Sequence, residues 1–455
     1  MNLESERSGT RPFASADRGP ARDLPTGDLP AASPAARPTA KERILAVALD
    51  EFARYGYSGA SLRAIASAAH IDVALIAYYY GNKASLYETV TEPVSPGANV
   101  LEDIFRNHRE NAGAMVAAVL VELETHEEAV KAGQALFRTF LTPAGPDDPV
   151  HAEVRNRAAA IFSYGKAHPG TELGDEIAAA FIVGLFLVRH LLRYEPAASA
   201  PLPCLEAVLG VLLQRLLDES SAYATRPAPA DAVAPVDDDP APDPYPAPPP
   251  RQPDTRTRIL EAAQRSFATL GYHGTALRAL ADEVGCNVAL IPYHFGSKAE
   301  LFREAVADGL AMLDVIPDLA DRRVTDPAAT AAAIAPLMLR LFTDEPQGPA
   351  LRSVILATVA PRPGDEELVG ELRTAVQRVI DRVLVDGAEK VASISDEELL
   401  GFHLVGAMFL GLHVLRRIVG LEPLASASDA EIERLLVPLL EWLLDGSFRE
   451  ALTAC

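Results

Sequence analysis

The chain repeats itself almost word for word. Residues 43–87 read RILAVALDEFARYGYSGASLRAIASAAHIDVALIAYYYGNKASLY, and residues 258–302 read RILEAAQRSFATLGYHGTALRALADEVGCNVALIPYHFGSKAELF. The two stretches align without a gap and about half of their positions are identical. A repeat of this length exceeds the periods of solenoids and propeller blades, so it marks two whole copies of a domain and not an array. Whatever the segment does, one chain carries it twice.

The remaining composition narrows the classes. A chain of 455 residues can build two or more domains with substantial cores. No uninterrupted apolar run reaches transmembrane length and the first residues lack a signal-peptide core, so a cytoplasmic protein without a membrane partner is expected. Residues 1–37 are polar and rich in Pro, Gly, Ser and Arg, the composition of a disordered tail. Cys204, Cys286 and Cys455 lie far apart, which suits a reducing compartment and argues against a disulfide framework or a metal site. There is no Gly-rich phosphate loop, nucleophile elbow or metal-spaced His/Cys cluster, so neither an enzyme nor a cofactor is expected.

Between the copies, residues 226–250 read RPAPADAVAPVDDDPAPDPYPAPPP, with ten prolines among acidic residues. Such a tract buries no core and is expected to be a semi-rigid linker. In polyproline II form, at ~3.1 Å per residue, it reaches on the order of 75 Å. That is enough to let two ordinary domains sit side by side.

Within each copy the apolar period is helical. Ile44, Leu45, Val47, Ala48, Phe52 and Ala53 share a stripe, as do Ile259, Leu260, Ala263, Phe267 and Ala268. Asp254 stands as an N-cap, while Gly56 and Gly271 stand as stops. A second short helix begins near Ser61 or Thr275. A third follows Asp72 or Asn287, both good N-caps, and ends at Gly81 or Gly296. Three short helices with a tight turn before the last describe a helix-turn-helix unit.

The pattern F-A-x-x-G-Y-x-G, then L-R-A-[IL]-A, then V-A-L-I-x-Y-[YH]-[YF]-G-[NS]-K resembles the DNA-binding domain of the TetR family of bacterial transcriptional regulators. The likeness extends past the heads. Leu185 to Ala200 (LFLVRHLLRYEPAASA) parallels Leu412 to Ser428 (LHVLRRIVGLEPLASAS), so an entire regulator looks duplicated. The resemblance implies an all-α fold of two TetR-like units, each a three-helix head plus a helical ligand-binding and dimerisation body. The expected domains are heads at 38–90 and 251–305, bodies at 91–222 and 306–455, and a linker at 223–250.

By this resemblance the third helix enters the major groove of an operator, where base edges present distinct donors and acceptors, while flanking groups grip phosphates. Lys83 and Lys298 at the start of the fourth helix, and the hydroxyls of Tyr78 and Tyr293, are the expected phosphate contacts. Arg63 and Arg278 on the second helix reach phosphate or a guanine edge. Val73, Ala74, Ala77 and Tyr79 in the first copy, with Val288, Ala289 and His294 in the second, are the groove-facing candidates. Tyr80 and Phe295 read as core aromatics. For the two lysines the plainer reading is a solvated surface charge.

The copies depart from one another. Ala60 stands where the second copy has Thr275, a residue expected to cap the second helix and donate to a phosphate; Ser61 takes that role by a shift of one position. Pro292 inside the second recognition helix is expected to kink or shorten it. The two heads should therefore read unequal half-sites.

The formal charge of −22 at first looks wrong for a DNA binder. Counted locally, residues 41–88 hold five basic and five acidic side chains, and residues 251–303 hold seven and five. The acidity lies in the bodies and linker, which limits nonspecific binding and makes both heads act together. Asp175 to Arg193 and Glu397 to Val419 are long apolar helices, followed by final helices through 205–217 and 432–444. Helices apolar on most faces need a buried interface. In the family such pairs make a four-helix bundle with a partner, here expected to be the other half of the same chain; a homodimer of chains is the alternative. The resemblance also implies an unidentified small-molecule effector in each body, near Phe137, Phe181, Phe186 and His190, or near Phe402, His403, Met408, Phe409, His413 and Trp442, acting by linkage to weaken operator affinity as in a repressor. A different class of reading makes one half, the first by its neutral head, an interaction or sensor module that no longer binds DNA.

Overall fold

The computed structural model describes residues 38–92, 95–142, 148–162, 170–225, 254–311, 326–341, 347–359, 361–381, 396–445 and 447–448. The expected tail and most of the expected linker lie outside the described residues. Those described are all-α. In the first half, α1 (Ala40–Gly59), α2 (Leu62–Ala68) and α3 (Val73–Tyr80) make the head, and α4 (Lys83–Thr91) leads to α5 (Ser95–Asn107), α6 (Ala112–Glu124), α7 (Glu127–Leu141), α8 (Pro149–Phe162), α9 (Glu172–Phe186) and α10 (Leu202–Thr225). The second half repeats the order with α11 (Thr255–Gly274), α12 (Leu277–Val284), α13 (Leu290–Phe295), α14 (Lys298–Ala311), α15 (Pro327–Leu341), α16 (Gln347–Val359), α17 (Glu366–Asp381), α18 (Asp396–His413) and α19 (Asp429–Leu444).

Each head forms because one stripe of its first helix is apolar at helical spacing. Ile44, Ala48 and Phe52 are buried, and so are Ile259, Ala263 and Phe267. The Phe52 ring meets Tyr87 edge-on at 5.2 Å, and Phe267 meets Phe302 in the same way at 4.8 Å. At Gly56 and Gly271 the backbone takes φ of 66° and 70°, which only glycine adopts without strain, and the regular helix breaks there. The chain does not stop at those glycines: one further turn runs on to Gly59 and Gly274 before the second helix begins. Head and body are then joined by packing of α1 on α7 and of α11 on α16.

The bodies meet where α9 crosses α18, at a contact the sequence writes in small residues. A methyl carbon added at Gly184 would lie 1.7 Å from the Ala407 carbonyl oxygen, and one added at Gly411 would lie 1.8 Å from that of Ala180. Gly184 and Gly411 occupy matching places in the repeat, as do Ala180 and Ala407, so the crossing is reciprocal about a pseudo-two-fold axis. Beside it α10 touches α9, α18 and α19. The segment 399–419 has the length and composition of a membrane span, but 78% of its most apolar 18-residue window, of mean hydropathy 1.6, is buried in this bundle. After α9 and α18 the chain makes a wide helical turn, 187–192 and 414–419, and then the same cap twice. Glu195 accepts from the N–H and hydroxyl of Ser199 (3.1 and 2.5 Å), as Glu422 does from those of Ser426 (3.2 and 2.6 Å).

Candidate nucleic-acid interface

Helix α3 begins where the Asp72 carboxylate accepts from the Ala74 N–H at 2.7 Å, and it ends at Gly81 with φ of 80°. The turn leading into it needs a left-handed residue. The first head supplies His70 at φ 53°, the second Gly285 at φ 72°. Ile76 is fully buried and fixes the helix to the head, which leaves Val73, Ala74, Ala77, Tyr78 and Tyr79 on the outside. The second head presents Val288, Ala289 and Tyr293 in the same way around buried Ile291, while His294 is half-buried with its ring 5.1 Å from Tyr293. Tyr78 and Tyr293 are each 79% exposed, with rings edge-on to Tyr79 at 5.0 Å and to His294 at 5.1 Å. Arg63 and Arg278 are exposed on the second helices. Phe295 is buried, and Tyr80 is half-buried with its hydroxyl donating to the Lys41 carbonyl at 2.9 Å.

Pro292 shortens its helix. Without an N–H at that position, the Val288 carbonyl accepts from Ile291 at 3.2 Å, a bond of a tighter turn, whereas the Leu290 to Asn287 bond at 2.9 Å has its equal in Leu75 to Asp72 at 3.0 Å. The α-helix proper therefore spans Leu290–Phe295, against Val73–Tyr80 in the first head.

The capping expectation is corrected. Ser61 is itself the N-cap of α2, with its hydroxyl accepting from the Ala64 N–H at 3.4 Å. Its match in the second head is Ala276, which has no side chain to cap with. Thr275 does not cap: it is buried, and its hydroxyl donates to the Gly271 carbonyl at 2.9 Å while accepting from Ser266 at 3.1 Å. A hydroxyl held that way ties off the end of α11 and is not aimed at solvent. The second head, not the first, is the one that lacks a cap.

The two lysines are not simple solvated charges. Lys83 Nζ lies 4.6 Å from the centre of the Tyr57 ring, and Lys298 Nζ lies 4.8 Å from that of Tyr272. Burial lowers the pKa of Lys83, opposed in part by Glu51 and Asp148. Burial and then Arg362 lower that of Lys298. The ring lies against each ammonium at the start of its helix and takes the place of part of its water. The G-Y and G-[NS]-K portions of the motif are thus two parts of one device. Their constant separation in both copies is the sequence signal for it. Also outside the predicted set are Arg43 and Arg258, which bond the Ala69 and Val284 carbonyls and pin the helix-turn-helix to the first helix.

In the first body, Phe186 stacks on Phe137 at 5.0 Å and lies 4.7 Å from His190, whose Nε2 is 2.6 Å from Glu124. Burial pushes the Glu124 carboxyl up, but bonds and charge from His190 and Arg189 outweigh it and hold it below the ordinary range. Phe181 is plain core, as are Met408 and Phe409 in the second body, while Phe402 is half-buried and Trp442 meets Phe448 edge-on at 5.3 Å. His413, at the place matching Phe186, is buried, and burial followed by Arg352 and Arg417 pushes its pKa down to about 3.

Parts of this chain resemble known proteins. The pattern defining bacterial regulatory proteins of the tetR family matches residues 44–90 and again 259–305. That of the tetracyclin repressor-like C-terminal domain matches 110–217 and 330–444. The HTH-type transcriptional dual regulator CecR of Shigella flexneri is 29% identical over 129 residues, 25% of this chain and 57% of that protein. The HTH-type transcriptional regulator RutR of Escherichia coli O157:H7 is 30% identical over 145 residues, 31% of this chain and 66% of that protein. The chain thus spans less than two thirds of either relative's length. A solved TetR-family regulator from Streptomyces coelicolor A3 is 22% identical, covering 39% of this chain and 94% of that one at a TM-score of 0.27. Head and body patterns each match twice, in the order head–body–head–body, and together they take in well over half of the residues. The chain belongs to the TetR family of bacterial regulatory proteins, with both of the family's domains present in duplicate.

Proposed function

We propose that the protein is a cytoplasmic, sequence-specific DNA-binding transcriptional regulator whose two halves pair within one chain. One observation carries the reading. Of the seven large apolar side chains most exposed among the described residues, five (Val73, Tyr78, Tyr79, Val288 and Tyr293) sit on the two recognition segments. Such a patch, repeated on two short helices with a ring-held lysine at the next helix start, suits a major groove with its phosphates. The contact set is Ser61, Arg63, Val73, Ala74, Ala77, Tyr78, Tyr79 and Lys83 with Arg278, Val288, Ala289, Tyr293, His294 and Lys298; Thr275 is left out because its hydroxyl is spent inside the head. The reciprocal α9–α18 crossing supports pairing inside the chain. A repressor released by a small apolar or amphipathic effector near Phe137, Phe186 and His190 fits the partly buried cluster there.

In vitro selection of random duplex DNA by the full chain, with the mass of the complex, tests this. An asymmetric pair of half-sites held by one chain is the expected result. A palindrome held by two chains would overturn the intrachain pairing. No enrichment by folded protein would overturn DNA reading and favour an interaction or sensor role.

A further inference from the structure

The crossing of α9 and α18 is symmetric, but its flanks are not. Arg138 of α7 is buried; its Nε donates to the Ala53 carbonyl at 2.7 Å, and its Nη1 reaches across to the second half, to the Thr358 carbonyl at 3.2 Å and to that of Val359. Aligning Thr139 with Thr358 on the equivalent helices puts Ala357 at the matching place. The approach of the backbones differs as well at the adjoining glycines. A methyl carbon at Gly56 would meet Arg138 Cβ at 3.2 Å, whereas at Gly271 it would meet nothing within 4 Å. A cleft of about 140 Å³ opens there, lined by Ala357, Gly271, Leu270 and Thr142 among others.

Further contacts cross the seam from residues that differ between the halves. The buried Glu176 carboxylate accepts from the Leu424 N–H at 2.7 Å, and the residue matching Glu176 is His403. Arg373 donates to the Leu191 carbonyl at 2.9 Å, and Gln377 exchanges two bonds with the backbone of Glu195 at 2.9 and 3.0 Å. Aligning Asp148 with Asp365 sets Asn156 and Ala160 against Arg373 and Gln377. Arg193, beside this cluster, is matched by Gly420.

A seam built from like halves fails on these terms. Two first halves would have no Gln377 to hold the loop at Glu195. Two second halves would have Ala357 on both sides and the Thr358 and Val359 carbonyls without the Arg138 donor. An unmet buried polar group costs more than the bond it replaces returns. We propose that the seam is complementary only between unlike halves, so that this surface accepts a second copy of the chain solely by exchange of halves. The inference rests on the intrachain pairing proposed above.

The test uses the full chain carrying a protease site in the Pro-rich tract, made in two batches with different mass tags on each half. After folding, both are cut, mixed, taken through urea together and returned to buffer, and the complexes are weighed by native mass spectrometry. Unlike pairs alone are the expected product. Like pairs in the proportions of random reassortment would overturn the inference and leave the pairing intact; halves recovered only as monomers would overturn both. A second measurement on the uncut chain does not depend on refolding. Arg138→Ala should lower the folding equilibrium about tenfold or more, since a charged donor is lost from buried carbonyls. Adding Ala357→Arg, which places the guanidinium in the open cleft on the other side, should recover most of that loss; a double variant as unstable as the sum of its parts would sink the proposal.

Discussion

The heads and the seam have handled the same duplication in opposite ways. In the heads the framework is kept and the helix ends differ: the ring-held lysine, the aromatic pair and the glycine break occur twice, while cap, turn residue and recognition-helix length do not. At the seam the small residues of the crossing are kept and the polar contacts around it differ. Each head packs chiefly on itself and its own body, so a change at a helix end is absorbed largely within one half. A seam residue faces the other half, and a change there is judged by what lies opposite. Divergence in the first region yields two variants of one part; in the second it yields two parts that fit each other.

The largest effect should come from the crossing. Gly184→Val and Gly411→Val each drive a side chain into a backbone carbonyl, and each should cost about 3 kcal/mol or more, seen as a lowered midpoint in chemical denaturation. Equal losses at the two sites would support the pseudo-symmetry; a tolerated change at one would break it.

Acid should separate the two bodies. His413 has a folded pKa of about 3 against an ordinary 6.5, so the unfolded chain takes a proton that the folded chain refuses. Its contribution is level above pH 6.5, and stability is lost as pH falls below that, by about 1.4 kcal/mol per unit towards pH 3. His413→Phe, which copies Phe186 of the first half, should remove that part of the slope; denaturation curves at pH 7, 6 and 5 measure it, and an unchanged slope would refute the assignment.

On DNA, Lys83→Glu and Lys298→Glu should each weaken binding about tenfold and lower the salt slope by about one. If only one of them does so, the other head is a scaffold. The smallest effects lie at the caps. Ser61→Ala should cost about 1 kcal/mol, and Ala276→Ser should gain a few tenths to 1 kcal/mol, by supplying the hydroxyl that the second head lacks. Thermal melts of the two variants would show opposite signs.

Much of this was legible in the residues. Apolar spacing located the helices, Asp72 and Asp254 marked two starts correctly, and Pro292 announced a shortened helix. Those are local matters, decided within one or two turns of chain. Thr275 misled because a hydroxyl near a helix start has two uses, and only the nearby Gly271 carbonyl decides between them. The partners of Lys83 and Lys298 stayed hidden because Tyr57 and Tyr272 lie a helix and more away in sequence. Arg138 and Ala357 looked like any charged and small residue, since nothing in either stretch says that one faces the other half.

The shortened helix at Pro292 gives the molecule a heading. A reader with two identical ends fits its site either way round and cannot tell upstream from downstream. One end here is Val73–Tyr80 and the other is Leu290–Phe295, so on the proposed DNA reading a matched pair of half-sites would admit the protein in a single direction. Whatever stands on one flank of the bundle would then always face the same neighbour along the DNA, and orientation would become something a promoter can specify.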